Sequence, residues 1–252
     1  MPGDRQNVAA KSVDNSVADQ PAVKRKRGVL TREVIISKAI EVIDESGVAG
    51  LTMRKLGQAL GVDAMSVYGY FDNKADLLDA VVESEAQRLA AIPAPYPPDP
   101  VELIVRIGMH YRSVLLEHPN LAPLVASRPL PQQNWRATLT FGVSLFRAAG
   151  FDSEVIPLAA DAMVGFTLGF IVHEAGQRAL RAELGERRAE HVAEVHRQLS
   201  ELGAEHSVEA AMIRQRLDDV APAEQFETGL RAMLKGLKSG LGERAAGAAA
   251  AD

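Results

Sequence analysis

Residues 52–71 are the stretch of this chain whose side chains could do chemistry as a set: Thr52-Met53-Arg54-Lys55-Leu56-Gly57-Gln58-Ala59-Leu60-Gly61-Val62-Asp63-Ala64-Met65-Ser66-Val67-Tyr68-Gly69-Tyr70-Phe71. They read as helix, glycine turn, helix. Two helices crossing at about 90–120° through so short a turn need a small residue where they meet, and Gly57 supplies it. Leu56, Leu60, Val62 and Val67 then lock the pair inward. This leaves Ala64, Met65, Ser66, Tyr68, Gly69 and Tyr70 on the outer side of the second helix. An ordinary solvated face would carry Lys and Glu there. Hydroxyls and small apolar groups instead suit phosphate oxygens and thymine methyls in a DNA major groove. The shape alone also occurs as a packing unit that binds nothing, and on these residues both readings stand.

Other chemistries lose their carriers. The chain has no cysteine, which excludes disulfides, thiolate zinc sites, iron–sulfur clusters and a Cys nucleophile. It has no Gly-x-Ser-x-Gly elbow, no phosphate-binding glycine loop after a strand and no His-Glu-x-x-His. His191 and His196 are five apart, not the i, i+4 of a helical metal pair, and sit among Glu183, Arg187, Glu190 and Glu194, a solvated face. We therefore expect no enzyme, no metal and no cofactor.

The elements that must position the motif are helical throughout. Thr31 should cap a first helix that buries Ile35, Ile36, Ala39, Ile40 and Ile43 and ends at Gly47. Thr52 caps a second, Met53 to Leu60, with Leu56, Ala59 and Leu60 inward and Gly61 as its left-handed terminus. Asp63 is placed to accept from the free N–H groups of a third, Ala64 to Phe71, and Asn73 and Asp76 cap a fourth that runs to about Ala91. Prolines 93, 95, 97 and 98 stop it. Longer helices are expected over about 100–118, 131–149, 153–181, 185–202, 208–219 and 223–239. No segment alternates like a strand, so the fold class is all-α.

The 252 residues and 27.1 kDa fit one large domain or two modest ones, and the net charge of −5 is unevenly spread. Residues 1–30 carry six Lys and Arg against three Asp and Glu, whereas residues 77–252 carry seventeen against twenty-three. Lys24-Arg25-Lys26-Arg27 forms a basic knot ahead of the first helix, either a nucleic-acid arm or a solubilising tail. Residues 1–29 have no apolar period and are expected to be a disordered basic tail, as are residues 243–252 at the other end. With no signal-peptide core and no run of about 20 apolar residues, the expected location is the cytosol, with no membrane partner.

From Leu30 to Leu78 the chain resembles the N-terminal domain of the tetracycline-repressor (TetR) family. The resemblance is carried by Ala39-Ile40-Glu41-Val42-Ile43-Asp44-Glu45-Ser46-Gly47, Gly50-Leu51-Thr52-Met53-Arg54-Lys55-Leu56, Leu60-Gly61-Val62, Val67-Tyr68-Gly69-Tyr70-Phe71 and Asn73-Lys74-Ala75-Asp76-Leu77-Leu78. It implies a three-helix helix–turn–helix DNA-binding domain over 30–76 and a helical ligand-binding and dimerisation domain over 77–242. It also implies a homodimer on double-stranded operator DNA. Carried over position by position, Arg54, Ser66, Tyr68 and Tyr70 would meet the DNA and Lys74 would grip phosphate. Thr52 and Met53 sit at a helix start whose backbone N–H groups can hold another phosphate. Ala64 and Met65 stand where the tetracycline repressor has Gln-Pro, and Gly69-Tyr70 where it has Trp-His, so a different operator is expected.

The later residues resemble that family's second domain more loosely, in Ala126-Ser127-Arg128-Pro129, Phe166-Thr167-Leu168-Gly169-Phe170 and Phe226-Glu227-Thr228-Gly229-Leu230-Arg231. The family's metal-chelating and drug-gripping positions fall on Ala90, Leu124, Arg106 and His110, which speaks against a metal-chelate ligand. The expected effector site is an apolar set of Met109, Tyr111, Trp135, Leu139, Phe141, Phe146, Met163, Phe166 and Phe170, with Arg106, His110 and His173 as polar anchors. A hydrophobic or weakly anionic molecule would suit it. Gly165 and Gly169, four apart, permit close approach of another backbone, either within one subunit or across a dimer. Segment 185–219 reads as an insertion over the pocket entrance. The expected function is a repressor released from its operator by a small hydrophobic ligand; the alternative is a constitutive or activating regulator without an inducer.

Overall fold

The computed structural model describes residues 29–128, 135–185, 187–202, 206–217 and 221–240. The basic knot, nearly all of the expected N-terminal tail, the C-terminal tail and residues 131–134 lie outside them. Among the described residues every regular element is helical: α1 (Arg32–Gly50), α2 (Met53–Leu60), α3 (Ala64–Tyr68), α4 (Lys74–Ala90), α5 (Pro100–Glu117), the 3-10 turn η1 (Pro119–Leu121), α6 (Ala122–Ser127), α7 (Trp135–Ala148), α8 (Ile156–Leu184), α9 (Arg187–Ser200), α10 (Ser207–Leu217) and α11 (Pro222–Gly240).

The caps explain the first four. Thr31 accepts from the Val34 N–H and Thr52 from the Lys55 N–H, each satisfying a donor that the helix start leaves open. Gly47, at φ 67°, breaks the regular run of α1 where the sequence places its end. Asn73 accepts from the Asp76 N–H while Asp76 accepts in turn from the Asp72 N–H, a reciprocal cap that fixes the entry to α4. Asp63 departs from expectation, because its side chain makes no capping bond to α3. That helix also ends early, at Tyr68, because the Tyr70 N–H turns back to the Val67 carbonyl in a tighter i+3 bond.

Two more helical pieces, η1 and α6, occupy residues 119–127, where Pro119 and Pro123 look like breakers. Each proline sits in a first turn, whose N–H needs no partner. In α2 the buried stripe is Met53, Leu56 and Gly57, so Ala59 faces outward rather than inward and Leu60 is half-buried. In α1 Val42 is buried where Ile36 is only partly so.

The larger core gathers Ile104, Ile107, Phe146, Ile156, Met163, Phe226, Leu230 and Leu234 from α5, α7, α8 and α11, with Phe151 from the α7–α8 loop. A second, smaller cluster joins Leu89, Val114, Leu115, Ala122 and Ile171, and Tyr111 packs against both. α4 runs through position 76/77, so the two expected domains share one continuous helix.

One feature departs from the sequence expectation of no apolar span. By length and composition α8 is long and apolar enough to cross a membrane. It nevertheless buries Glu174, which accepts two bonds from Arg112 of α5 (Nε to Oε2 2.9 Å, Nη2 to Oε1 2.7 Å) and one from Arg178.

Candidate functional site

The motif is built from α2, a glycine turn and α3. Gly61 sits at φ 68°, ψ 30°, the left-handed conformation that an L side chain rarely adopts, and the Val62 N–H then bonds the Gly57 carbonyl at 2.9 Å. A Cβ on Gly57 would lie 2.9 Å from the Val62 oxygen and 3.1 Å from the Ala64 nitrogen. Only glycine lets the two helices cross this closely. Val67 and Phe71, both essentially inaccessible, anchor α3 to the core.

With those anchors inward, most of the expected contact residues of this segment are exposed. Met65 is 76% exposed, Tyr68 44% and Tyr70 37%, with Ser66 exposed beside them and Ala64 half-buried. Thr52 is exposed at the start of α2. Met53, the first residue of that helix, is buried. Arg54 is exposed and forms no ion pair among the described residues, which leaves its guanidinium available for a phosphate. Lys74 is engaged differently, since its Nζ donates to the Val48 carbonyl at 2.8 Å and closes the end of α1. Two further donors of the ammonium group remain for a ligand.

The residues expected to line an effector site are less united. Phe166 and Phe170 of α8 and Phe226 of α11 form an aromatic trio, with Phe226 centred 5.3 Å from Phe166 and 5.2 Å from Phe170, and Met163 is buried one turn away. Arg106 and His110 point elsewhere. Arg106 donates to the Pro95 and Pro93 carbonyls at 2.6 and 2.9 Å, and the His110 ring lies 3.1 Å from the Arg88 carbonyl, so both hold the link between α4 and α5. His173 is exposed, as are Leu139 and Phe141 at 47% and 50%, because the first half of α7 stands clear of the core. Trp135 opens α7; the placement of its side chain lies outside the described residues.

Sequence reasoning missed two features here. Thr167 is 2% exposed and its buried hydroxyl has no hydrogen-bond partner. The Arg112–Glu174 pair was also unforeseen. A charge on the buried stripe of each helix was the available signal, Arg112 in step with Val105, Gly108 and Leu115 and Glu174 in step with Met163 and Ile171, since such charges are buried only when paired.

Residues 35–81 match the model for bacterial regulatory proteins of the tetR family, and residues 95–241 match that of the tetracyclin repressor-like C-terminal domain. The chain belongs to the TetR family. It is a TetR-family transcriptional regulator, and its all-helical organisation is that of the family. An HTH-type transcriptional regulator of Saccharopolyspora erythraea is 32% identical over 167 residues, covering 63% of this chain and 70% of that protein. The class A tetracycline repressor from transposon 1721 of Escherichia coli is 27% identical over 214 residues, 82% of this chain and 90% of the relative. The TetR-family protein ActR of Streptomyces coelicolor, solved with actinorhodin, shares the fold with a TM-score of 0.64 at 22% identity, covering 84% of this chain and 99% of that one.

Proposed function

We propose that this TetR-family regulator is a homodimeric repressor of the cytoplasm that occupies operator DNA through Thr52, Met53, Arg54, Ala64, Met65, Ser66, Tyr68, Tyr70 and Lys74, and leaves it when a small hydrophobic ligand enters the helical domain. The observation that carries the reading is the outer side of α3. Hydroxyl and apolar side chains stand exposed there on a helix pinned from behind by Val67 and Phe71. Such a surface, with hydroxyl donors beside apolar groups, suits a groove of base edges and phosphates.

Support for the dimer comes from α8. Leu158, Gly165, Gly169, Val172, Gly176 and Leu180 recur at helical spacing, and a Cβ built on any of these three glycines meets nothing within 4 Å. The close approach these glycines permit is therefore not used among the described residues of the subunit, which favours a second copy as its occupant. Burying this apolar face would contribute about 25 cal/mol per Å².

Support for the effector comes from the aromatic trio and, on the same helix α8, the buried Thr167 hydroxyl without a partner. Met163, Phe166 and Phe170 are the residues of choice for contact. Arg106 and His110 would act through the α4–α5 link they hold. ActR is solved in complex with actinorhodin and the class A relative is a tetracycline repressor, so small-molecule binding occurs on this fold, and a small hydrophobic ligand is the effector these aromatic residues suit. Coupling to DNA has a physical route. Arg128 at the end of α6 donates to the Ala75 carbonyl and pairs with Asp79 of α4, while His118 pairs with Asp44 of α1 at 2.6 Å. A ligand that displaces α6 pulls on both helices, and a tenfold loss of operator affinity needs about 1.4 kcal/mol of differential binding.

Selection of duplexes from a random library by the purified protein tests the reading. A two-fold symmetric consensus with half-site centres about 34–36 Å apart is the expected product. Enrichment of nothing, or of an asymmetric site filled by one subunit, would count against it.

A further inference from the structure

We infer that Arg32, outside the helix–turn–helix, is a positioning residue that sets how the recognition helix presents Tyr68 and Tyr70, and so governs operator discrimination. The inference rests on the DNA-binding reading above. Its basis is one side chain reaching across 38 positions of sequence: Arg32 Nη1, from the first turn of α1, donates to the Tyr70 carbonyl at 2.5 Å. The same guanidinium lies over the Phe71 ring, 4.2 Å from its centroid.

α3 cannot hold this geometry alone. It has five residues, fewer than an isolated helix needs to persist, and no side-chain cap at its start. Its far end relies on Gly69 and Tyr70 N–H groups bonded back to Met65 and Val67. Those bonds use backbone donors, and the Tyr70 carbonyl lies just beyond the helix C-terminus, where a cation is favoured. Arg32 supplies that cation. Phe71 is 1% exposed and fixed in the core, so the guanidinium plane is held by a rigid surface while it holds the carbonyl. Thr31 caps α1 immediately before it, which fixes the backbone from which the side chain starts. Tyr68 and Tyr70 lie within this clamped turn. The planar group with several donors is what the double task requires, and an ammonium cannot both stack and bond in the same way.

The alternative is that Arg32, exposed and positive, simply grips a phosphate, and the two roles separate experimentally. Arg32→Lys and Arg32→Met are titrated at three salt concentrations against a duplex enriched from a random library by the wild type, and against poly(dI-dC). A positioning role predicts that Arg32→Met loses about tenfold in affinity for the enriched duplex, that Arg32→Lys recovers only part of this, that both keep the wild-type salt slope, and that poly(dI-dC) binding is unaltered. A salt slope lowered by about one in Arg32→Met, with full rescue in Arg32→Lys, would identify a phosphate contact and overturn the inference. Wild-type affinity in both variants would overturn it too. If Arg32→Met melts below the assay temperature, Arg32→Lys decides, since it keeps the charge and must still lose affinity. If the wild type enriches no duplex, the DNA-binding reading falls first and the inference with it.

Discussion

Arg112 and Glu174 meet side by side between α5 and α8, with Nε to Oε2 at 2.9 Å and Nη2 to Oε1 at 2.7 Å, both side chains nearly inaccessible to water. Breaking such a pair strands a charge in the interior. Glu174→Gln or Arg112→Met should each lower unfolding free energy by about 3–5 kcal/mol, whereas the double substitution to apolar residues should cost less than either. Arg178, the outer partner of Glu174 and 55% exposed in its side chain, should contribute less than about 1 kcal/mol when changed to Ala. Urea denaturation of the four proteins separates these cases.

Gly57 and Gly169 are glycines for different reasons, and alanine tells them apart. At Gly57 the added Cβ meets fixed backbone at 2.9 Å, so Gly57→Ala should destabilise by about 1–3 kcal/mol and weaken operator binding. At Gly169 the Cβ meets nothing within 4 Å, so the subunit should tolerate Ala, with any loss appearing in self-association. Thermal melts paired with sedimentation velocity give both readouts.

Much of this was legible in the sequence, and the boundary between what was and was not is physical. Thr31, Thr52, Gly61 and Asn73 act within a few residues of themselves, so their caps and turns follow from local chemistry. The side to which Tyr68 and Tyr70 point follows from Val67 and Phe71 being apolar at helical spacing. Effector-site residues depend on which helices become neighbours, which no local pattern encodes. Arg106 and His110, expected as polar anchors for a ligand, are engaged by backbone carbonyls, Arg106 by Pro93 and Pro95 of the α4–α5 link and His110 by Arg88 of α4. Leu139 and Phe141 were read as pocket and stand exposed, because hydrophobicity marks a residue for burial without naming what buries it.

The uncovered face of α8 makes a direct prediction about assembly. Val172 is 52% exposed and Leu158 50%, on the side that carries Gly165, Gly169 and Gly176. Val172→Glu places a charge on that face without touching the subunit core. It should leave helicity intact and shift the protein toward monomer by at least about tenfold in dissociation constant. An unchanged dimer would move the interface elsewhere.

Burial pushes the Tyr111 hydroxyl above its ordinary phenol value. The folded protein therefore holds the proton more tightly than the unfolded chain, which begins to ionise near pH 10. Stability from this group is fully present below about pH 10 and is lost as pH rises toward the raised value, at no more than about 1.4 kcal/mol per pH unit. Urea midpoints between pH 8 and 11 should fall less steeply for Tyr111→Phe than for the wild type; parallel curves would show that the hydroxyl does not contribute.

The central claim is that the outer side of α3 reads DNA. Fluorescence anisotropy of a labelled duplex enriched by the wild type, titrated at two salt concentrations with wild type and Tyr68→Ala, tests it most directly. Tyr68 is 44% exposed and its removal leaves Val67 and Phe71 in place, so the variant should stay folded. Saturable, salt-sensitive binding by the wild type and a loss of at least about tenfold in the variant are expected, within the roughly 1–3 kcal/mol that a base-directed contact carries. Full operator affinity in a folded Tyr68→Ala protein with unchanged self-association would contradict it.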